Sequence, residues 1–145
     1  MRVTAKLAEN QVRQAMAALG EASIRRAIAA AAEDLEQYIT EQAATHNKRG
    51  ALVRSIDKLQ SPDGLAWDIF HDPQAAPHAL FVHWGTKPHI IRPRNKKSLR
   101  WPAGDNFAFA KEVHHPGTRS DTWMIRAADL APRMFAWHIQ SLMDK

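Results

Sequence analysis

Cysteine is absent from this chain of 145 residues, which excludes a disulfide framework and any thiolate metal site; a reducing compartment such as the bacterial cytoplasm suffices for it. Long apolar runs are also missing. No stretch approaches the roughly 18 apolar residues that span a bilayer, so no membrane partner is expected. Arg2, Lys6, Glu9 and Arg13 interrupt the first apolar residues and leave no signal-peptide core. There is no internal repeat and no low-complexity tract. The length suits one hydrophobic core and is too short for two domains of ordinary size, so residues 1–145 are read as a single domain. What is plentiful is ordinary for a folded protein: 45% hydrophobic and 24% charged residues exclude the signature of disorder. Lys and Arg outnumber Asp and Glu by 20 to 15, a balance that favours contact with something acidic, whether nucleic acid or a protein face.

The order of hydrophobic patterns gives the fold class. Val3, Leu7, Val12, Met16 and Leu19 have the spacing of one helical face, Gly20 permits a break, and Ser23 is a candidate N-cap for a second helix. The buried stripe of that helix reads Ile24, Ile28, Ala31, Leu35, Tyr38, Ile39 and Gln42 or Ala43. His46 to Gly50 end it, so residues 1–46 form the helical N-terminal part. Residues 50–118 read as sheet. Leu52, Ile56 and Leu59 predict one strand and Leu65, Trp67 and Ile69 its antiparallel partner, across a Ser61-Pro62-Asp63-Gly64 turn. Strand and one-turn helix compete at Ala79 to Val82. His89–Pro93 and Ser98–Pro102 look like two arms of an extended hairpin, 89–102, with a basic tip at Arg94 to Lys97. Phe107, Phe109, Lys111 and Val113 predict a further strand. Asp121 is a candidate N-cap for a closing helix over 121–143, with Ile125, Ala128, Met134, Trp137, Ile139 and Leu142 inward and a kink or restart allowed at Pro132. The pattern is α+β, with terminal helices covering one face of an antiparallel sheet.

Few residues invite chemistry. Eight histidines raise a metal reading, but no two stand four apart on a firm helix, no HExxH is present, and adjacent His114 and His115 would point to opposite faces of a strand. Ser55, Ser98, Ser120 and Thr118 lack an activating context such as GxSxG. Asp57, Asp63, Asp68 and Asp72 fall in or beside turns and on an exposed strand face, where solvation explains them. No catalytic residue, metal site or cofactor is expected. The strongest electrostatic feature is Arg92, Arg94, Lys96, Lys97 and Arg100, flanked by Ile91 and Trp101. It suits an acidic protein partner, a solvated hairpin tip that resists edge pairing, or phosphates contacted without sequence specificity. Some of the five tryptophans suit interface anchors, whereas Trp67 and Trp137 fall on periodic apolar faces and equally suit core packing.

Three segments occur in order after the helical N-terminus: Arg49-Gly50-Ala51-Leu52-Val53-Arg54-Ser55-Ile56, then Ala79-Leu80-Phe81-Val82-His83-Trp84-Gly85-Thr86-Lys87-Pro88-His89, then His115-Pro116-Gly117-Thr118 followed by Trp123. In this order they resemble the phage tail-completion family, the head-to-tail joining or minor tail (neck) proteins of lambda-like siphophages. They look like its Thr-Gly-x-Leu-x-x-Ser-Ile, Tyr-x-x-x-Val-Glu-x-Gly-Thr and His-Pro-Gly-Thr signatures. Arg49 stands where that family has Thr, His83 takes an acidic position, and Thr122-Trp123 replace Pro-Phe. Gly50, Gly85, Thr86, Pro116, Gly117 and Thr118 then read as structural turns.

The resemblance implies a structural virion protein made in the bacterial host cytoplasm, with no enzymatic activity. It would form a homo-oligomeric ring, six-fold in symmetry, between a connector or adaptor and a tail terminator or tail tube, with non-specific contact to DNA in the lumen. In that setting Arg92, Arg94, Lys96, Lys97, Arg100 and Trp101 are the candidate interface or DNA-lumen contacts. A small basic nucleic-acid-binding module and a histidine-dependent metal protein are the competing expectations.

Overall fold

The computed structural model describes residues 2–5, 9–46 and 50–144, with the side chains at 3–5, 9, 11 and 12 outside the description. It is α+β, mixing long helices with antiparallel strands. Strand β1 (Arg2–Ala5) is followed by α1 (Glu9–Leu19) and the long α2 (Glu21–Ala44). The single helical face expected from Val3 to Leu19 is therefore split: Arg2 to Ala5 pair antiparallel with β3 (Trp67–His71), Val3 opposite Ile69. Val3 and Thr4 are β-branched and favour a pleated surface, and an open edge of β3 is there to receive them. Leu7 and Asn47 to Arg49 lie outside the described residues. Gly20, with φ of 78°, is itself the N-cap of α2, so Ser23 sits inside the first turn and caps nothing.

The apolar stripe of α2 is where the spacing placed it. Ile24, Ile28, Ala31, Leu35, Ile39 and Ala43 are buried, joined by Ala27 and Ala32. The alanines let α5 (Trp123–Met143) approach closely through its own Ala127 and Ala131. The inward face of α5, however, is Trp123, Met124, Ala127, Ala131 and Phe135. Ile125, Ala128 and Trp137, read as inward, are exposed. Apolar residues surround much of this helix, so periodicity alone does not single out the face that packs, and Ala127 and Ala131 mark where the alanine-rich partner comes close. The helix runs unbroken past Pro132, whose ring faces solvent beside exposed Ala128, the residue whose carbonyl loses its partner there. Asp121 does not cap it; the N-cap is Thr122, without a side-chain bond. The carboxylate of Asp121 instead binds Arg126 of α5 and, at 2.7 Å, His46 beyond α2, while Arg126 donates to Gln42 at 3.1 Å.

A one-turn helix, α3 (Ala51–Arg54), occupies the start of the predicted first strand, and β2 (Ile56–Gln60) follows. It pairs antiparallel with β3, Ile56 opposite His71, giving the sheet order β1-β3-β2. Ile69 at its centre is fully buried beneath α2 and α5, and Lys58 reaches back to Glu33 and Glu36 of α2. Between β3 and the rest of the chain Ala79–Trp84 forms α4, which settles the competition there in favour of helix.

Candidate functional site: a two-part arm and its root

Residues 89–115 form an arm built from two ribbons in series. The hairpin expected over 89–102 does not exist, because its two arms pair with other partners. Strand β4 (His89–Ile91) pairs with β7 (Val113–His115), and β5 (Leu99–Ala103) pairs with β6 (Asn106–Ala110). The true reversal is at Gly104-Asp105. Gly104, with φ of 61°, supplies the positive angle that a two-residue turn needs at its first central position. The basic run Arg92 to Ser98 is thus one side of a joint between the ribbons, with only Lys111 and Glu112 opposite it. Spacing could not reveal this, since the pairing skips seven residues on one strand and two on the other. Arg92 braces the joint, donating to Glu112 Oε2 from Nε at 3.1 Å and Nη2 at 2.9 Å. Among the described residues neither ribbon packs extensively on the helices or on the three-stranded sheet.

The root gathers motifs far apart in sequence. Thr86 and Thr118 exchange backbone hydrogen bonds of 2.9 and 3.0 Å, so the Gly85-Thr86 turn and the Pro116-Gly117-Thr118 turn clasp one another. Gly85 has φ of 72°, and a Cβ there would stand 2.5 Å from the Thr118 carbonyl oxygen. Gly117 has φ of 88°, and its Cβ would overlap the Thr86 carbonyl oxygen. Gly50 serves elsewhere, as the left-handed N-cap of α3. Above the clasp the rings of His89 and His115 stack at 5.0 Å; the Gly117 N–H donates to His115 Nδ1 at 3.1 Å, and His89 Nδ1 bonds the Lys87 carbonyl at 2.8 Å.

Strand pairing sorts the distal ribbon into two faces, because directly opposite residues project to the same side. Arg100 opposite Phe109 and Pro102 opposite Phe107 make one face; there the Arg100 guanidinium lies 3.6 Å from the centre of the Phe107 ring. Trp101 opposite Ala108, with Leu99 opposite Ala110, make the other, which carries no charge. The predicted contact residues are therefore divided: Arg94, Lys96 and Lys97 belong to the joint, Arg100 to the cationic face and Trp101 to the neutral one.

A second surface is not evident from the sequence. Helix α4 buries Ala79 and His83 and turns Leu80, Phe81 and Trp84 outward, Phe81 and Trp84 each more than 60% exposed. The residues run straight into Gly85 and the arm root. Helical spacing of 79 and 83 against 80, 81 and 84 was the available signal, obscured while a strand was equally open. Of the remaining tryptophans, Trp123 is buried in the core, Trp67 packs half-buried at its edge, and Trp137, expected equally in the core, is exposed.

The histidines do not converge. Among the described residues no three His, Asp or Glu side chains could hold a metal ion. His83 is buried with neither ring nitrogen hydrogen-bonded among the described residues. Burial pushes it below the ordinary histidine value of 6.5, against the opposing pull of Asp121. Burial lowers His71 in the same way. A depressed folded-state value means the unfolded chain binds the proton more readily, so stability present above about pH 6.5 is lost as pH falls below it. Thermal midpoints should be level from about pH 8 to 7 and fall by pH 5.5, with a shallower fall in His83→Leu; a flat midpoint across that range would contradict the burial of these rings.

Comparison with family models, with curated proteins and with solved structures gives no match.

Proposed function

We propose that this chain is a structural virion protein of a long-tailed bacteriophage, a ring-forming tail-completion or head-to-tail joining subunit of the neck. The observation that carries the reading is the pairing of a projecting arm with an unrelated apolar patch on the same subunit. A closed ring repeats one heterologous contact, so each copy must present two different surfaces that fit each other. The neutral face of the distal ribbon, centred on Trp101, supplies one, and Leu80, Phe81 and Trp84 of α4 supply the other. A two-stranded ribbon is marginal on its own in water, and packing against a neighbour provides the missing layer. Aromatic anchors of this kind dominate binding energy where they are desolvated. The ordered Gly-Thr and His-Pro-Gly-Thr turns support the phage assignment, since together they form the clasp from which the arm springs.

The reading needs no catalysis: the subunit works by fitting between its neighbours. A connector or adaptor on one side and a tail terminator or tail tube on the other are the proposed partners. The test is deletion of the gene from a phage or prophage that carries it. Full heads and complete tails should then accumulate unjoined, and the purified protein added to the lysate should restore joined particles. Joined, infectious particles in the deletion strain would refute the assignment.

A further inference from the structure

The net charge of the protein resides in the arm and the two residues, Lys87 and Pro88, that lead into it. Residues 87–115 hold seven Lys and Arg against two acids, which equals the formal +5 of the whole chain, and the rest of the molecule carries thirteen of each sign. Outside the arm many cations are engaged: Lys58 with Glu33 and Glu36, Arg126 with Asp121, Arg25 with Glu21 and Arg2 with Asp68. Within the arm Arg92 alone of the basic cluster is ion-paired, and Arg94, Lys96 and Lys97 make no hydrogen bond or ion pair among the described residues. These three and Arg100 border a cleft of about 640 Å³, together with Pro93, the exposed Phe109 and the neutral donors Asn95 and Ser98, at the edge where Leu99 begins the ribbon. A patch evolved only to stay solvated has no need of a concave shape or of aromatic rings set among its cations. An acidic face on a second copy is not offered either, since the body is neutral overall and its acids on α2 are largely paired internally.

We infer that the joint and the cationic face of the distal ribbon form a binding site for nucleic acid through its phosphodiester backbone. Four clustered cations can each replace a condensed counterion, and the Asn95 amide N–H and the Ser98 hydroxyl can donate to phosphate oxygens. Phe109 gives an open ring on which an unpaired base can stack, whereas Phe107 is already covered by Arg100. Recognition is of backbone charge, without a base-reading element, so affinity should not depend on sequence. The opposite, neutral face of the ribbon is left for protein, and the inference does not depend on ring assembly.

The test is fluorescence anisotropy of the full-length protein with short labelled oligonucleotides, single-stranded and duplex, across salt concentration. Release of counterions at four sites gives a log–log salt slope of roughly −3 to −4, or about 100-fold weaker binding between about 50 and 200 mM salt. The triple variant R94Q/K96Q/K97Q should retain the fold, weaken binding at low salt and flatten the slope to about −1. Arg25→Gln with Arg26→Gln on α2 should leave binding unchanged. Phe109→Ala separates the two forms: loss confined to single strands, several-fold, assigns base stacking on that ring; equal affinity for both forms in the native protein assigns binding to phosphates alone. Either result sustains the site. Absence of saturable binding at low salt, retention of the full slope by the triple variant, or displacement by polyglutamate as readily as by unlabelled DNA would overturn it, the last by assigning an acidic polypeptide instead.

Discussion

Phe81→Glu combined with Trp84→Glu should abolish assembly while leaving the subunit folded. Both rings are more than half exposed and sit on the outer side of a six-residue helix, so the isolated subunit loses little packing when they change. Exposed substitutions of this kind move stability by no more than about 0.5 kcal/mol, which leaves the thermal midpoint near that of the native chain. At an interface the same change is severe. Each truncated aromatic anchor costs on the order of 2 kcal/mol, and a carboxylate facing the neutral Trp101 surface adds desolvation without a partner. The dissociation constant between copies should rise by at least roughly 100-fold. Trp101→Glu should reproduce the effect from the other side of the proposed contact, and mixing it with the double variant should not restore assembly, because the proposed ring needs both surfaces on every copy. Light scattering and electron microscopy of the assembled protein give the readout; rings that form normally from the Phe81/Trp84 variant would remove α4 from the interface.

Gly117→Ala should release the arm at its root. At φ of 88° any L side chain is strained, and a methyl group would overlap the Thr86 carbonyl oxygen, a backbone atom that cannot rotate away. The Thr86–Thr118 hydrogen-bond pair and the Gly117 bond to His115 hold that geometry, so relief of the clash requires them to open. Strain of this type costs on the order of 1–3 kcal/mol before the lost hydrogen bonds are counted, and each of those adds about 1 kcal/mol. The loss should be local first: amide exchange at Thr86, Thr118 and across β4 and β7 should quicken while Leu35, Ile39 and Ile69 stay protected. Gly85→Ala should behave alike, with Thr118 O and Ser120 N in its way, whereas Gly50→Ala meets only the movable Arg54 side chain and should cost less. Unchanged exchange at the root in Gly117→Ala would show that the clasp is not what fixes the arm.

The helical half of this fold was legible because its signal is local. Ile24 to Ala43 repeat with helical spacing over more than five turns, and the core follows that repeat. The α5 face was legible only as a helix: its stripe of Ala127 and Ala131 is dictated by the alanines of α2, information that lies elsewhere in the chain. Pairing in the arm was illegible for a related reason. Alternation shows that Leu99 to Ala103 is extended and cannot show that its partner is Asn106 to Ala110, still less that His89 pairs past the whole insertion with His115. At the site, the cations and the turn glycines were visible as residue types. Their division between two faces of one ribbon, and the closure of Gly85 upon Gly117, are products of register and topology. The apolar face of α4 was hidden because six residues suit strand or helix equally well until the buried Ala79 and His83 decide.

The absence of cysteine makes the proposed contact between the arm and α4 directly measurable. One cysteine in place of Ala108, on the neutral face of the distal ribbon, and one in place of Leu80 on α4 are the only thiols in the doubly substituted chain. Oxidation of assembled protein should yield a ladder of covalent oligomers that ends in a closed species of six subunits, while either single variant yields no ladder. A doubly substituted chain that assembles yet remains uncross-linked, or whose ladder extends without closing, would contradict a ring built from arm and α4.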